Sequence, residues 1–565
     1  MSYKIKHAKE TLRLNTSLMP IALYSSEQVY AIEQTWFDQG YSSFALMQQA
    51  AWQMTQRIIE LDDNTRSKSK RAVVWVGQGN NGGDGWLIAL YLQQAGWQVQ
   101  VITIGIEVDT IVKNDNMASE SESEQISDAL KARNMALSSN CSHECLDDTI
   151  EHRLYSADIF IDAIFGIGLD RVPTGSYKQA IITFNRVVKR TNALVISVDI
   201  PSGLVASTGE VFERYAIEAD MTLCLVARKL GLHTKDGMDY AGQIIDIPLI
   251  PFSAITATAT LYHKAYPLCK RQQNSHKGSY GQVLIIGGNR IDSSQGMGGA
   301  AILAASSAMA AGTGKITVAC HSAFHGAVIT SLPDAMTIDL HDKEGVRQLI
   351  KDASVVAIGM GLGRDEPAYL LFITYIETAI EQQKPIIIDA DGLYHLASLH
   401  DDNHLLVEQL KAYSEHQLVY LTPHSGEAAK LLDKTAIEIE SNRLAAIKEC
   451  ARVYGGHWVL KGAGTLILEE GQVSICAIGN PGMATAGMGD VLSGLIAGLT
   501  AQQDLDAEQH SLLQAVLIHA MAGDIRIDDK RINSTSHFGL SVGERGLQAQ
   551  DMPDAIRHAM HLLTQ

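Results

Sequence analysis

Much that would fix the class of this sequence at once is missing from it. Seven cysteines are scattered over 565 residues without a CxxC pair, which excludes a disulfide scaffold and makes a reducing compartment the simplest setting. No apolar run approaches the roughly 18 residues of a membrane span, and the first residues lack a signal-peptide core. Basic charge is in short supply. Lys and Arg number 45 against 63 Asp and Glu, a formal net charge of -18, which argues against broad binding to nucleic acid or an anionic membrane. It leaves room for a local pocket that holds phosphate with backbone N–H groups. No GxxxxGK[ST] is present, so a P-loop is excluded. Cys141, His143 and Cys145 cluster, but no second ligand group lies nearby in sequence, and no metal is expected there. Lys4, Lys6, Lys9 and Arg13 read as a basic tail, with a transit peptide as the other reading. The expectation is a cytoplasmic protein with neither nucleic acid nor membrane as partner.

What is present is a chain 46% hydrophobic and long enough for more than one core, which predicts two domains. Its organising stretch is NPGMATAGMGDVLSG, Asn480 to Gly494. Small residues allow a tight turn before Asp490, and Val491, Leu492, Leu495, Ile496 and Leu499 continue at helical spacing. A helix start of this kind can surround a phosphate with N–H groups while a carboxylate beside it takes a proton from an attacking hydroxyl. Asp490 is the candidate base, with a capping aspartate as the plain alternative.

In the first half, residues 26–60 carry helical periodicity broken at Gly40–Ser43, predicting two helices. A strand over 71–76 runs into GQGNNGGDG, Gly77 to Gly85, before a helix predicted over 86–95. GxGxxG in this place allows a dinucleotide site of the Rossmann kind or a tight turn. The added Asn80, Asn81 and Asp84 bring side-chain oxygens to the same mouth. Further strands over 97–104, 157–165 and 193–198 follow, the last two ending in DAIFGIG and DIPSGL. Residues 114–125, acidic and serine-rich, read as a solvated loop. Strand ends in a parallel α/β sheet share one edge, so these loops converge on one site.

GQGNNGGDG, DAIFGIGLDR and VDIPSGL resemble the three motifs of the NAD(P)H-hydrate epimerase family, and ATAGMGDVLSG resembles the anion-hole motif of the ribokinase superfamily, within it the ADP- or ATP-dependent NAD(P)H-hydrate dehydratases. The first resemblance implies that Asn80, Asn81, Gly82, Gly83 and Asp84 hold the dinucleotide hydrate. With them would act Gly166, Ile167, Gly168, Leu169, Asp170, Arg171, Val172 and Asp199. Potassium would lie on Asn81, Asp162 and Ser202. One departure is Leu46-Met47-Gln48-Gln49-Ala50-Ala51, where family members read closer to LMENAG. Asp199, after a strand, is the candidate for proton transfer at C6, with fixing of the ribose or nicotinamide as the other role.

Residues 248–260 contain two prolines and small residues, which places a boundary near 250–262. Beyond it HKGSYGQVLIIGG again resembles the dehydratases, and strands over 282–286, 354–358, 385–389 and 418–421 each run into a polar loop, predicting a mainly parallel sheet. By resemblance Ala300, Gly361, His424 and Asp490 contact the hydrated dinucleotide, and Lys461, Gly462, Ala463, Gly464, Thr465 and Gly489 contact the adenylate. Residue by residue, plainer readings stay open: His424 starts a helix, Asp391 sits in a turn, and KGAGT is a hairpin turn between strands over 457–460 and 466–468.

The expected architecture is α/β in two domains, a Rossmann-like sandwich over 25–253 and a ribokinase-like domain over 260–565. The expected function is epimerisation of NADHX and NADPHX followed by dehydration of the S form with ADP, ATP being the other donor, and magnesium on the donor. A homo-oligomer is expected. The alternatives are a ribokinase-superfamily small-molecule kinase with a non-catalytic first half and, more weakly, a dehydrogenase.

Overall fold

The computed structural model describes residues 19–65, 70–105, 126–147, 149–150, 157–191, 193–252, 256–291, 295–527 and 542–564. The acidic stretch 114–125 and the basic positions Lys4, Lys6, Lys9 and Arg13 lie outside the described residues. The chain divides into two compact units, centred on Ile21–Ala259 and Thr260–Gln565.

The first unit opens with helices α1 (Ser26–Asp38) and α2 (Ser43–Thr65). Ser25 and Gln28 form a reciprocal capping box at the start of α1. The strands are β1 (Arg71–Val76), β2 (Gln98–Thr103), β3 (Ser142–Cys145), β4 (Ile159–Ala163), β5 (Leu194–Val198), β6 (Met221–Leu225) and β7 (Gln243–Ile247). They lie in the order β3-β2-β1-β4-β5-β6-β7, with every neighbouring pair parallel. A parallel sheet is covered on both faces, which is why β1 and β4 are apolar nearly throughout. The strand order reverses between β1 and β4. Loops leaving those two strands therefore part and open a crevice.

Helix α3 spans Asn80–Gln94, so it starts six residues before the helix predicted over 86–95. The reason is packing. A Cβ on Gly82 would stand 2.1 Å from the Gly77 carbonyl oxygen, and one on Gly85 2.6 Å from Ala163 Cβ. The glycines that suggested a loop instead let a helix lie close on β1 and β4. Helix α5 completes the count that matters here, after α4 (Asp128–Ser138): it spans Gly175–Arg190 and buries Ala180, Ile181, Phe184 and Val187 at helical spacing.

In the second unit the strands that position the site are β8 (Gln282–Ile286), β9 (Lys315–Cys320), β10 (Met336–Asp339), β11 (Val355–Ile358), β12 (Ile386–Ile388), β13 (Val419–Leu421), β14 (His457–Leu460), β15 (Leu466–Glu469) and β16 (Gln472–Cys476). Their order is β16-β15-β14-β13-β12-β11-β8-β9-β10. Pairs from β14 to β10 are parallel, whereas β14, β15 and β16 run antiparallel. Here the order reverses between β8 and β11. The helices that bear on the site are α6 (Gly298–Ala310), α7 (Asp391–Asp401), α8 (Ser425–Leu431), α9 (Arg443–Tyr454), α10 (Met488–Thr500) and α11 (Leu512–Arg526).

Helix α10 is seated on α6 by missing side chains. A Cβ on Gly494 would lie 1.9 Å from the Ala304 carbonyl oxygen, and one on Gly498 2.7 Å from that of Ala308. Val491, Leu492, Leu495 and Ile496 are buried in the same core. Alanine exceeds glycine in helix propensity by about 1 kcal/mol, but overpacking a closed contact costs about 1–3 kcal/mol, and 1.9 Å is far inside van der Waals contact. Gly494→Ala is expected to destabilise the second unit by about 2 kcal/mol, seen as a lower urea midpoint of the full chain.

Candidate active sites

The crevice of the first unit is a cavity of about 530 Å³. Asn80, Asn81 and Asp84 reach it from the first turns of α3, residues Gly166 to Val172 from the loop after β4, and Asp199 from the end of β5. Gly82 and Gly83 are not in its wall; they are buried where α3 packs on Gly77 and Met47. Asp199 has φ of 66°, a left-handed conformation that a non-glycine residue holds at an energetic cost and that clusters at functional sites. Its carboxylate accepts the N–H of Leu225 at 3.0 Å and is ion-paired with Lys229.

Lys229 was missed by the sequence reading. It is fully buried, and its ammonium also donates to the Leu225 carbonyl at 2.7 Å. Burial by itself would lower its proton affinity; the nearby Asp199 outweighs this and raises it. Glu33, also missed, comes in from α1. Burial, and then the charge of Asp199, push its carboxyl up to about 7, against the opposing pull of Lys229. Asp84 is pushed well above the usual carboxylate range, by burial first and by Asp199 second, and its Oδ1 finds no hydrogen-bond partner. A lone lysine just past a buried strand, and a glutamate four positions after core Val29, were the available signals.

Asp162 and Ser202 lie behind the cavity wall in a buried knot. Asp162 accepts hydrogen bonds from the Ser197 hydroxyl at 2.8 Å, from the Ser202 N–H at 2.8 Å and hydroxyl at 2.5 Å, and from the Ile164 N–H at 3.2 Å. Burial raises its proton affinity, and these donors oppose the rise. Asn81 joins by donating to the Phe165 carbonyl at 2.7 Å, while Ser202 Oγ accepts the Phe165 N–H at 2.8 Å.

In the second unit Gly487, at φ of 90°, is the N-cap of α10 and makes no side-chain cap. Asp490 is therefore not the capping residue; it stands in the first turn, half-buried. Burial, then Asp389, push its carboxyl up to about 7, with Lys461 pulling the other way and Asp391 and Glu427 adding to the rise. Lys461 binds Asp389 at 2.9 Å and lies 3.7 Å from Glu427. Asp389 also accepts the Ser493 hydroxyl at 2.6 Å. Gly489 leaves this pair room: a Cβ there would sit 3.1 Å from Lys461 Nζ.

KGAGT is the turn between antiparallel β14 and β15. Gly462 and Gly464 take φ of 148° and 62°, and buried Arg443 binds the carbonyls of Leu460 at 3.0 Å, Gly464 at 3.4 Å and Ala463. His424 caps α8: its Nδ1 accepts the N–H groups of Gly426 and Glu427, and Glu427 accepts the His424 N–H at 2.8 Å. Its side chain stays 60% exposed and can still meet a ligand. Gly361, at φ of 67°, lies against Ala300. Asp391 is more than a turn residue, since it accepts Arg364 Nε at 2.7 Å and the Gly363 N–H at 2.9 Å. It thereby ties the Gly361 loop to the carboxyl group around Asp490. Asp389 and Ser493, missed in sequence, complete the network. Among the described residues no cluster of three or more His, Cys, Asp or Glu side chains is arranged to hold a metal.

Residues 43–231 match the family described as the YjeF-related protein N-terminus, and residues 283–539 match NAD(P)H-hydrate dehydratase. The chain is 32% identical over 539 residues to a bifunctional NAD(P)H-hydrate repair enzyme of Coxiella burnetii, covering 94% of this chain and 97% of that one. It is 32% identical over 491 residues to the corresponding enzyme of Escherichia coli, covering 85% and 83%. A crystal structure of an ADP/ATP-dependent NAD(P)H-hydrate dehydratase from Bacillus subtilis, co-crystallised with ATP and Mg2+, is similar at 25% identity and a TM-score of 0.41, covering 53% of this chain and 95% of that one. With two family matches in one chain and relatives aligned over nearly their whole length, this chain belongs to the bifunctional NAD(P)H-hydrate repair enzymes.

Proposed function

We propose that the first unit interconverts the R and S epimers of NADHX and NADPHX at the Asp199 cavity, and that the second unit dehydrates the S form at Asp490 with ADP as donor, giving AMP and phosphate. The observation that carries the second step is the placement of Asp490 in the first turn of α10, where burial and Asp389 push its carboxyl up to about 7. A general base works best when its pKa lies near the operating pH. The first N–H groups of a helix have no intrahelical acceptor, so those of α10 suit the terminal phosphate of the donor.

Hydroxide leaves poorly from C6. Asp490 takes the C6 hydroxyl proton as the oxygen attacks the terminal phosphorus, and the bond from that phosphorus to the AMP-bearing oxygen breaks. Phosphate then departs from C6, pushed by the ring nitrogen lone pair, and loss of the C5 proton restores the reduced nicotinamide. Lys461, Gly462 to Thr465 and Gly489 are proposed to hold the adenylate; Ala300, Gly361 and His424 the hydrate. Asp389 is committed to Lys461 and Ser493, and Asp391 to Arg364. Among the described residues no spare carboxylate cage is offered, so magnesium would ride on the donor phosphates and no step is assigned to it.

In the first unit Asn80, Asn81, Asp84, residues 166–172 and Asp199 are proposed to hold the hydrate. Potassium suits Asn81, Asp162 and Ser202 because the set is all oxygen. Asp162 is fully buried, and among the described residues no cationic side chain meets it. A bound cation would offset that charge and steady the loop after β4. A cytoplasmic setting is consistent with seven free thiols, and assembly as a homo-oligomer is part of the proposal.

The kinase alternative would leave a stable phosphorylated product and an idle first unit. Recovery of NADH-band absorbance from mixed hydrate epimers, with ADP, ATP or no nucleotide, tests the proposal: nucleotide-dependent recovery of both epimers with release of AMP is expected, and no recovery by folded protein overturns it. Asp490→Asn is expected to cut dehydration by about 10²–10⁴-fold and spare epimerisation, with Asp199→Asn doing the reverse. Because Asp490 must be ionised to act, kcat/KM for S-form dehydration is expected to fall about tenfold per pH unit below about 7.

A further inference from the structure

The cavity of the first unit holds more acid than Asp199 alone. Glu33 enters from α1, Asp84 from α3 and Asp199 from β5, around one buried ammonium, Lys229. Tyr30 of α1 and Asp170 and Arg171 of the 166–172 loop also line it, Arg171 at the exposed mouth. Three carboxyls near one ammonium cannot all ionise without strong repulsion, so protons are retained among them near neutral pH. Their surroundings sort them. Asp199 is bound to Lys229 and to the Leu225 N–H. Asp84 is 7% exposed, at the base of α3. Glu33 lines the open cavity, is partly exposed, and makes no hydrogen bond or ion pair with a described residue. Of the three around Lys229 it is the carboxyl free to exchange a proton with a ligand.

We propose that Glu33 is the proton-carrying catalytic residue of epimerisation, acting as one of a pair of carboxyls with Asp199. This deepens the epimerase assignment and rests on it. Glu33 gives its proton to the C6 oxygen, the C6–O bond breaks, water leaves, and the N1 lone pair forms a C6=N1 iminium. The excess of carboxyl groups over ammonium favours that cation. Water adds to the opposite face, forming the new C6–O bond and returning the electron pair to N1, and it releases one proton to Asp199. Transfer of that proton from Asp199 to Glu33 restores the starting state. Lys229 is a positioning residue that holds Asp199 in place.

The test follows pure R epimer of NADHX to S by chromatography, without nucleotide, using the full chain and its Glu33→Gln and Glu33→Asp variants, with the uncatalysed rate subtracted. Glu33→Gln is expected to lose about 10²-fold or more in kcat with KM within about threefold, Glu33→Asp to recover part of the loss, and S-form dehydration to be unchanged in both. Since Glu33 acts protonated, the wild-type rate is expected to fall as pH rises through about 7, and this limb should vanish in the residual rate of Glu33→Gln. A Glu33→Gln variant within threefold of wild-type kcat, or one retaining the limb, overturns the role of Glu33 alone. A folded wild-type chain that leaves R epimer unchanged overturns the epimerase assignment and this role with it.

Discussion

Burying a carboxylate where a parallel strand ends is costly unless hydrogen bonds or an opposite charge compensate it, and at one strand end in each unit the compensation is a buried lysine. Asp199, following β5, is paired with Lys229; Asp389, following β12, is paired with Lys461. A buried pair of this kind is weak as a source of stability, because desolvation offsets the attraction. Its consequence is electrical. The ammonium lies against the first carboxylate, and the charge of that carboxylate, together with burial, raises the proton affinity of the next carboxyl. Glu33 in one unit and Asp490 in the other are each brought to about 7 by this combination. Deleting either lysine would therefore alter two carboxyls, one by direct contact and one through space.

The backbone is bent to serve this placement. Asp199 at φ of 66° and Ala390, between Asp389 and Asp391, at φ of 50° occupy the left-handed region without being glycine. Conformations of this cost persist only where surrounding structure over-determines them. At Asp199 the N–H donates to Leu223 O at 2.9 Å, while the side chain accepts from Leu225 N. Main chain and side chain of one residue are thus both pinned to β6. On the other face of the problem, glycines at 82, 85, 494 and 498 draw helices onto their neighbours closely enough to aim helix N-termini at the strand ends. Side chains at those positions would push the N–H groups of α3 and α10 away from the sites they border.

The central strands were legible because parallel strands buried on two faces are short apolar runs followed by polar glycine-bearing loops, and β1 and β8 begin and end where that pattern does, whereas β3, β6, β9, β10 and β16 were not read from the sequence. Asn80, Asn81 and Asp84, in the first turns of α3 just past β1, and Asp199, just past β5, were legible as cavity residues because they follow such apolar runs. The start of α3 was not, since glycine is a breaker in isolation and a packing device against a sheet, and only tertiary contact decides which. Lys229 and Asp389 were hidden by distance: their partners lie 30 and 72 residues away, and a single charged residue beside a strand has no periodicity. Glu33 was hidden by its helix. On an amphipathic helix an occasional acid at the edge of the apolar face reads as solvated, and what identifies it is the cavity it borders. His424 shows the opposite case, where a local capping signal was real without accounting for the exposed remainder of the ring.

The two carboxyls near 7 are asked for opposite states. In the proposed mechanisms, epimerisation through an iminium would need Glu33 to hold its proton, favouring pH below about 7, while attack on the donor phosphate would need Asp490 to have lost its own, favouring pH above about 7. If either group kept an ordinary carboxylate affinity, the picture would be lopsided: Glu33 would be almost wholly ionised at neutral pH, or Asp490 too weak a base to draw a proton from an alcohol. Raising both toward the same value leaves each about half in its working form near neutrality. Two reactions in series are limited by the slower, so with both affinities near one value the joint process is fastest close to that pH and falls off on either side of it. In both units burial and the strand-end aspartate raise the second carboxyl, and the buried lysine beside that aspartate limits the rise.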